Sequence, residues 1–134
     1  HTHSTHLVGC SLQADTAAGG QLAPDAQLLP PITPYFVMKV GRVPHIPYHR
    51  PGDAAAAALV AQTITRYATQ GSPVRAVMLA RLGPNVWHDT PAAAMAVLEE
   101  LEETARLWML CQPRLTPLTE PQIEELRQSF GAHW

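Results

Sequence analysis

The segment from Pro91 to about Cys111 has the longest helical pattern in the sequence and constrains the fold more than any other feature. Proline is tolerated at the first position of a helix, so Thr90 and Pro91 suit a helix start. Glu99 and Glu103 lie away from an apolar stripe, which predicts that one side of this helix packs against the interior. The stripe consists of Ala94, Leu98, Leu101, Ala105 and Trp108.

The glutamates of this helix could also be interpreted as an acidic metal-binding or catalytic cluster. Adjacent residues on a helix point in different directions, however, and Glu102 and Arg106 have the i,i+4 spacing of a surface ion pair. We therefore interpret these side chains as a solvated face.

Shorter patterns of both kinds fill the rest of the chain. Alternating apolar residues or buried apolar runs predict extended segments over 35–40, 43–48, 74–79 and 85–87. Helical spacing predicts a short helix after His6, a helix from Ala54 to about Thr69 with Asp53 as its N-cap, and a last helix over 120–130. Glycines and prolines predict an irregular segment over 14–34. Helices that alternate with strands predict an α/β layered domain.

Composition limits the kinds of protein that this sequence can encode. The length of 134 residues fits one domain, and a net charge of −2 gives no electrostatic reason for binding nucleic acid or an anionic membrane. No apolar run approaches the roughly 20 residues of a membrane helix. Cys10 and Cys111 are too few for a disulfide framework, so we expect free thiols in a reducing compartment, the cytoplasm.

The opening string HTHSTH places three histidines, which can bind a metal ion, within six residues. In an extended segment, residues two apart point to the same side, so His1 and His3 can direct two neutral nitrogens at one metal ion. Zinc in catalytic sites usually takes three protein ligands and a water, so the spacing gives only half of a site. His6 follows one helical turn later and is interpreted as a side chain that packs or forms a local hydrogen bond.

Five strings in order carry a resemblance to a known family: HTHSTH, TPYFVMKVGRVPHIPYHRPGD, AVMLARLGPNV, LEELEETARLW and LTEPQIEELR. Together they make the chain similar to the class II aldolase/adducin family, and within it to the 3-oxo-tetronate 4-phosphate decarboxylases. The resemblance extends over essentially all of this chain but over only the C-terminal part of a family member. It implies that residues 1–134 are the C-terminal portion of a single domain whose N-terminal part is missing.

The resemblance also implies a three-layer α/β/α fold, a homotetramer, a cytoplasmic location and a zinc ion that polarises a carbonyl oxygen of the substrate. The implied reaction is decarboxylation of a phosphorylated acid sugar, a 3-oxo-tetronate 4-phosphate, to a ketose phosphate and CO2. An aldolase or epimerase acting on another sugar phosphate is the alternative, because a fold does not determine a substrate. The catalytic glutamate and the phosphate-binding loops of the family would lie upstream of His1.

Residue by residue, the resemblance assigns His1 and His3 to the metal and Tyr35 to proton donation across a subunit interface. A tyrosine is protonated at neutral pH, which suits a general acid, although a strand-end tyrosine with a surface hydroxyl is an equal interpretation. The family string ANHGP corresponds here to Ala80-Arg81-Leu82-Gly83-Pro84, so Leu82 stands where the family has a third metal-binding histidine. This difference motivates a further alternative, a non-catalytic, adducin-like assembly module.

Overall fold

The sheet forms where short apolar runs alternate with glycines and prolines. In the computed structural model, which describes residues 1–20, 22–23, 26–111 and 114–134, β1 is His45–Ile46, β2 is Ala76–Leu79 and β3 is Gly83–Val86. The order is β1-β2-β3, with β1 parallel to β2 and β2 antiparallel to β3. His45 pairs with Met78, and Leu79 pairs with Gly83. The mixture of helices with a parallel strand pair confirms the predicted α/β class.

The helices are α1 (Thr5–Ala17), α2 (Ala54–Thr69), α3 (Pro91–Cys111) and α4 (Glu120–Phe130). The bounds of the last three agree with the prediction from the sequence. Asp53, the predicted N-cap of α2, accepts a hydrogen bond from Ala55 N–H, and Thr119 forms a capping box with Gln122 at the start of α4. The predicted irregular segment 14–34 starts too early, because α1 continues through 14–17. The helix ends only before Gly19 and Gly20, both at positive φ. Among the described residues, no helix combines the length and apolar content that crossing a membrane requires.

Helix α3 supplies one wall of the main core, as its apolar stripe predicts. Leu98, Leu101 and Ala105 are buried, and Trp108 packs against them from a partly buried position. Helix α1 and strand β3 both contact α3. The core also includes Leu7, Cys10, Leu28, Leu29, Phe36, Val40, Val43, Ala76, Met78 and Val97.

The prediction of a strand over 35–40 is wrong, because Phe36–Val40 forms a π-helical turn. Gly41 N–H donates to the carbonyl oxygen of Phe36 at 2.9 Å, the i to i+5 bond of a π-helix. Phe36, Val37 and Val40 are all buried, and the turn packs against both α3 and α4. The β-branched and aromatic residues that suggested a strand are therefore explained by burial on two sides.

The interpretation of Glu102 as a surface partner of Arg106 is also wrong. One carboxylate oxygen of Glu102 accepts from the backbone N–H of His6 at 3.1 Å, and the other accepts from that of Leu7 at 3.2 Å. The first oxygen also lies 2.8 Å from His6 Nδ1, whereas Arg106 contacts Glu103 instead. Ser4, the N-cap residue of α1, makes no capping bond with its side chain. A carboxylate from α3 thus satisfies two of the free N–H groups at the start of α1.

We expect Glu102→Gln to lower the free energy of unfolding by about 1–2 kcal/mol, since the amide has only one acceptor oxygen for the two N–H groups. Glu103→Gln is the matched control, because it removes an exposed ion pair on the same helix and should cost no more than about 0.5 kcal/mol. Urea unfolding of both variants measures the difference. Equal shifts of the two midpoints would contradict a capping role for Glu102.

Candidate functional site

The first three residues, His1–His3, lie along strand β3, and we call them the histidine segment. His1 Nδ1 is 2.6 Å from the side-chain oxygen of Asn85, and Thr2 N–H donates to the carbonyl oxygen of Pro84 at 3.4 Å. The imidazoles of His1 and His3 meet edge to face, with ring centroids 5.2 Å apart. The structure therefore places together the two residues that the sequence pairs. If His1 Nδ1 carries the proton donated to Asn85, the other ring nitrogen of His1 keeps its lone pair.

Gly83 permits this close approach of two backbone segments. A Cβ atom at this position would collide with the carbonyl oxygen of Thr2 and would lie 3.4 Å from Cε1 of the His1 ring. Gly83 also has φ of 146°, a conformation that side chains disfavour. Glycine is thus required here both for space and for conformation.

Leu82 lies directly before this contact and faces a cavity of about 390 Å³ that Asn85 also lines. A leucine side chain has no atom that can ligate a metal. His6 is bonded to Glu102, and His88 Nδ1 accepts a hydrogen bond from Asp89 N–H, so neither is positioned as a substitute. Across 1–20, 22–23, 26–111 and 114–134, no group of three histidine, cysteine, aspartate or glutamate side chains is arranged to hold a metal ion. The described residues thus contain the His1–His3 pair but no third ligand beside it.

Tyr35 lies at the start of the π-helical turn, away from the contacts of the histidine segment. Its side chain is 59% exposed, and the Lys39 ammonium nitrogen lies 5.2 Å from the centroid of its ring. Within the described residues, no hydrogen bond or ring contact joins Tyr35 to His1 or His3. An exposed phenol fits a surface hydroxyl as well as a donor to a neighbouring subunit, so its catalytic role stays a prediction.

A polar cluster, formed by the buried residues Ser11, Asp15 and His45 and by the exposed Arg81, lies at the β2–β3 turn. Ser11 Oγ is 3.0 Å from His45 Nε2 and accepts from the backbone N–H of Arg81 at 2.9 Å. Arg81 Nε donates to Asp15 at 2.9 Å. Burial lowers the pKa of His45 below its ordinary value of 6.5, although the negative charge of Asp15 acts in the opposite direction. His45 is therefore a buried residue of β1, although prolines lie on either side of it.

The sequence prediction missed this polar cluster because it assigned Asp15 to an irregular segment. Ser11 and Asp15 are separated by one helical turn, so their side chains point the same way once α1 is extended to Ala17. That spacing is the signal that would have connected them. Asn85 was assigned to an extended segment, but nothing in its neighbourhood in the sequence indicates a bond to His1.

Both cysteines are free thiols, as predicted. Cys10 is buried beneath α3, and its thiol lies 3.7 Å from the carbonyl oxygen of Ala105. Burial, reinforced by the negative charge of Glu102, raises the pKa of Cys10 to about 11. This thiol is protonated at neutral pH and is not a nucleophile of the site.

We expect Gly83→Ala to lower the free energy of unfolding by about 3 kcal/mol or more, because unfavourable φ and the collision with Thr2 act together. Gly71→Ala is the matched control, since Gly71 has φ of 76° but no atom lies within 4 Å of the place that an added methyl group would occupy. The control should lose only about 1–2 kcal/mol, the cost of positive φ alone. Equal losses in urea unfolding would mean that the contact with Thr2 is absent.

The buried imidazole of His45 should make stability depend on pH. Because its pKa is lowered in the folded state, the unfolded chain takes up a proton more readily as pH falls below 6.5. The stabilisation is thus fully present above that pH and is lost towards lower pH, by up to about 1.4 kcal/mol per pH unit, until His45 protonates in the folded state. Unfolding curves of the unaltered protein and of His45→Gln should diverge between pH 7 and pH 5. Parallel curves would contradict this assignment.

Comparison with known proteins identifies sequence relatives of this chain. The profile of the family described as "Class II Aldolase and Adducin N-terminal domain" matches residues 1–109. A 3-oxo-tetronate 4-phosphate decarboxylase of Cupriavidus necator is 49% identical over the whole of this chain, and a protein of the same name in Escherichia coli is 36% identical over 95% of it. The chain spans 58% and 54%, respectively, of the length of these relatives.

Solved structures agree with this similarity. The crystal structure of YgbL from Escherichia coli superposes with a TM-score of 0.71 at 35% identity, over 95% of this chain and 55% of YgbL. YgbL from Klebsiella pneumoniae gives the same TM-score at 38% identity, over 93% of this chain and 54% of that one. The class II aldolase-like fold predicted from the sequence is thereby confirmed.

Proposed function

The chain belongs to the class II aldolase/adducin family, and from this membership we propose that the protein containing it is a lyase that decarboxylates a 3-oxo-tetronate 4-phosphate. The observation that carries the proposal is the 49% identity to a relative of that name over the whole of the chain. Further relatives of the same name from Escherichia coli and Haemophilus influenzae support it. The proposal concerns the whole protein, because this chain spans little more than half of each relative.

The proposed reaction breaks the bond between the carboxylate carbon and the carbon next to the ketone. The electron pair of that bond moves onto the ketone oxygen and leaves an enediolate, while the carboxylate departs as CO2. Protonation of the enediolate carbon then gives the ketose phosphate. An enzyme accelerates these steps by stabilising the enediolate charge and by supplying the proton.

In this proposal Tyr35 supplies that proton. Its side chain is 59% exposed at the start of the π-helical turn, so the hydroxyl is accessible to a substrate bound by another subunit. The same proposal includes a homotetramer in the cytoplasm, with Tyr35 of one subunit facing the histidine segment of another. The contact with Lys39 places a positive charge near the phenol ring, which favours the approach of an anionic substrate.

Metal dependence is general in the family, and a metal ion would stabilise the enediolate oxygen there. We propose that His1 and His3 are this chain's share of such a site. The side chains described do not complete it, because Leu82 occupies the place of a third histidine. The steps above are therefore assigned only to groups that the chain contains.

Leu82 also favours a second candidate from a different class. A protein that keeps the fold and loses a metal ligand can serve as a non-catalytic, adducin-like assembly module. An aldolase or epimerase acting on a different sugar phosphate remains the third candidate, since the fold supports several reactions.

The decisive test is CO2 release from 3-oxo-tetronate 4-phosphate by the full-length protein. We expect turnover, and we expect Tyr35→Phe to lower kcat by about 100-fold or more because the proton donor is lost. Tyr48→Phe is the matched control, since Tyr48 is 58% exposed but lies outside the proposed site, and it should keep full activity.

Each result excludes one interpretation. Absence of CO2 from folded protein would rule out this substrate, and turnover of another sugar phosphate would then identify an aldolase or epimerase. A folded oligomer that turns over none of these substrates would support the assembly module. Equal activity of Tyr35→Phe and Tyr48→Phe would remove Tyr35 from the mechanism.

A further inference from the structure

Arg81 has an unusual backbone conformation for its residue type. It is the one residue other than glycine with positive φ, 63°, in the part of the chain that the structure describes. It lies third in the turn 79–82, which is closed by a 3.0 Å bond from Leu82 N–H to the carbonyl oxygen of Leu79. Turns with positive φ at this position usually have glycine or asparagine there, because other side chains crowd the backbone. Contacts from elsewhere must therefore hold Arg81 in place.

Helix α1 supplies these contacts from two successive turns. Ser11 accepts from the backbone N–H of Arg81 at 2.9 Å, and Asp15 accepts from its side-chain Nε at the same distance. Ser11 is fully buried and Asp15 is 6% exposed. Helix α1 therefore holds both the backbone and the side chain of Arg81, from positions shielded from water.

His45 connects the same serine to the sheet. Since Ser11 Oγ accepts from Arg81 N–H, it can donate its own proton to His45 Nε2, 3.0 Å away. His45 lies on β1, whose backbone pairs with β2 directly before the turn. Ser11 is thus fixed from two sides, by the sheet and by the turn.

The first three residues of β3, which follow the turn, contact the histidine segment. Gly83 lies against the carbonyl oxygen of Thr2, Pro84 accepts from Thr2 N–H, and Asn85 bonds His1. A change in the turn at Arg81 displaces this contact surface directly, because only one residue separates Arg81 from Gly83.

We propose that Ser11, Asp15 and His45 are positioning residues, which hold Arg81 at positive φ and thereby set the placement of His1 against Asn85. The polar cluster then has a role for the site without touching a substrate. This inference goes beyond the proposed decarboxylation, and its tests use no substrate, so that either idea can fail without the other.

The first test is Ser11→Ala in the full chain, compared with Thr104→Ala. Thr104 is the matched control, because it is almost as buried and, among the described residues, its hydroxyl bonds only the carbonyl oxygen of Glu100 within its own helix. We expect Ser11→Ala to speed amide hydrogen exchange at Leu82 by about tenfold, the effect of one lost hydrogen bond. The nitrogen NMR signals of the His1 ring should also move towards those of Asn85→Ala, in which the bond to His1 is absent. Thr104→Ala should change neither readout.

The second test asks whether backbone conformation is the cause. In the Ser11→Ala background, Arg81→Gly should restore slow exchange at Leu82 and the His1 signals, because glycine adopts positive φ without a contact to hold it. Arg81→Ala removes the same side chain and should restore neither. If Ser11→Ala fails to fold, Asp15→Asn takes its place, with the same directions of change expected.

Three results would overturn the inference. One is an unchanged His1 signal in a variant whose Leu82 amide exchanges faster, since the turn would then not position the histidine. Another is equal behaviour of Ser11→Ala and Thr104→Ala, which indicates a loss of core stability only. The last is equal rescue by Arg81→Ala and Arg81→Gly.

Discussion

The contact between the Thr2 carbonyl oxygen and Gly83 is the constraint on which the candidate site depends. It leaves no space for a side chain, and the next two residues of β3 bond the same segment, Pro84 to Thr2 and Asn85 to His1. Helix α1 begins only two residues after His3, so the same contact determines where α1 starts relative to the sheet. The carboxylate of Glu102 then fixes the first turn of α1 to α3. The histidine pair is therefore held by both the sheet and the long helix.

Helix α3 and the two helices with recognisable caps could be predicted from the sequence, because periodicity and capping depend on residues close together in the chain. The π-helical turn Phe36–Val40 could not be predicted, since Phe36, Val37 and Val40 are buried and the turn packs against helices that lie far along the sequence. Its composition also resembles that of a strand. Glu102 was misassigned for a related reason. Its partners at the start of α1 are 95 and 96 residues away, and no local pattern competes with the nearby Arg106.

In the candidate site, too, features that depend on neighbouring residues could be predicted and those that depend on distant residues could not. The spacing of His1 and His3 is visible in the sequence, and the structure keeps their rings in contact. Family resemblance identified position 82, and the structure places Leu82 at a cavity shared with Asn85, the residue that bonds His1. The polar cluster at the turn could not be predicted, because it joins Ser11, His45 and Arg81 from three distant parts of the chain. Its contacts hold the turn that leads into Leu82.

The most direct measurement is a zinc titration of the full-length protein with Leu82 and with Leu82→His. Residue 82 directly precedes Gly83, which lies against Thr2 and the His1 ring. This position predicts that the substitution tightens zinc binding by about tenfold or more, because catalytic zinc usually takes three protein ligands. Tyr48→His, which adds a histidine at an exposed position outside the site, should leave the affinity unchanged. Equal zinc affinity of the unaltered protein and Leu82→His would contradict the placement of Leu82 at the third ligand position.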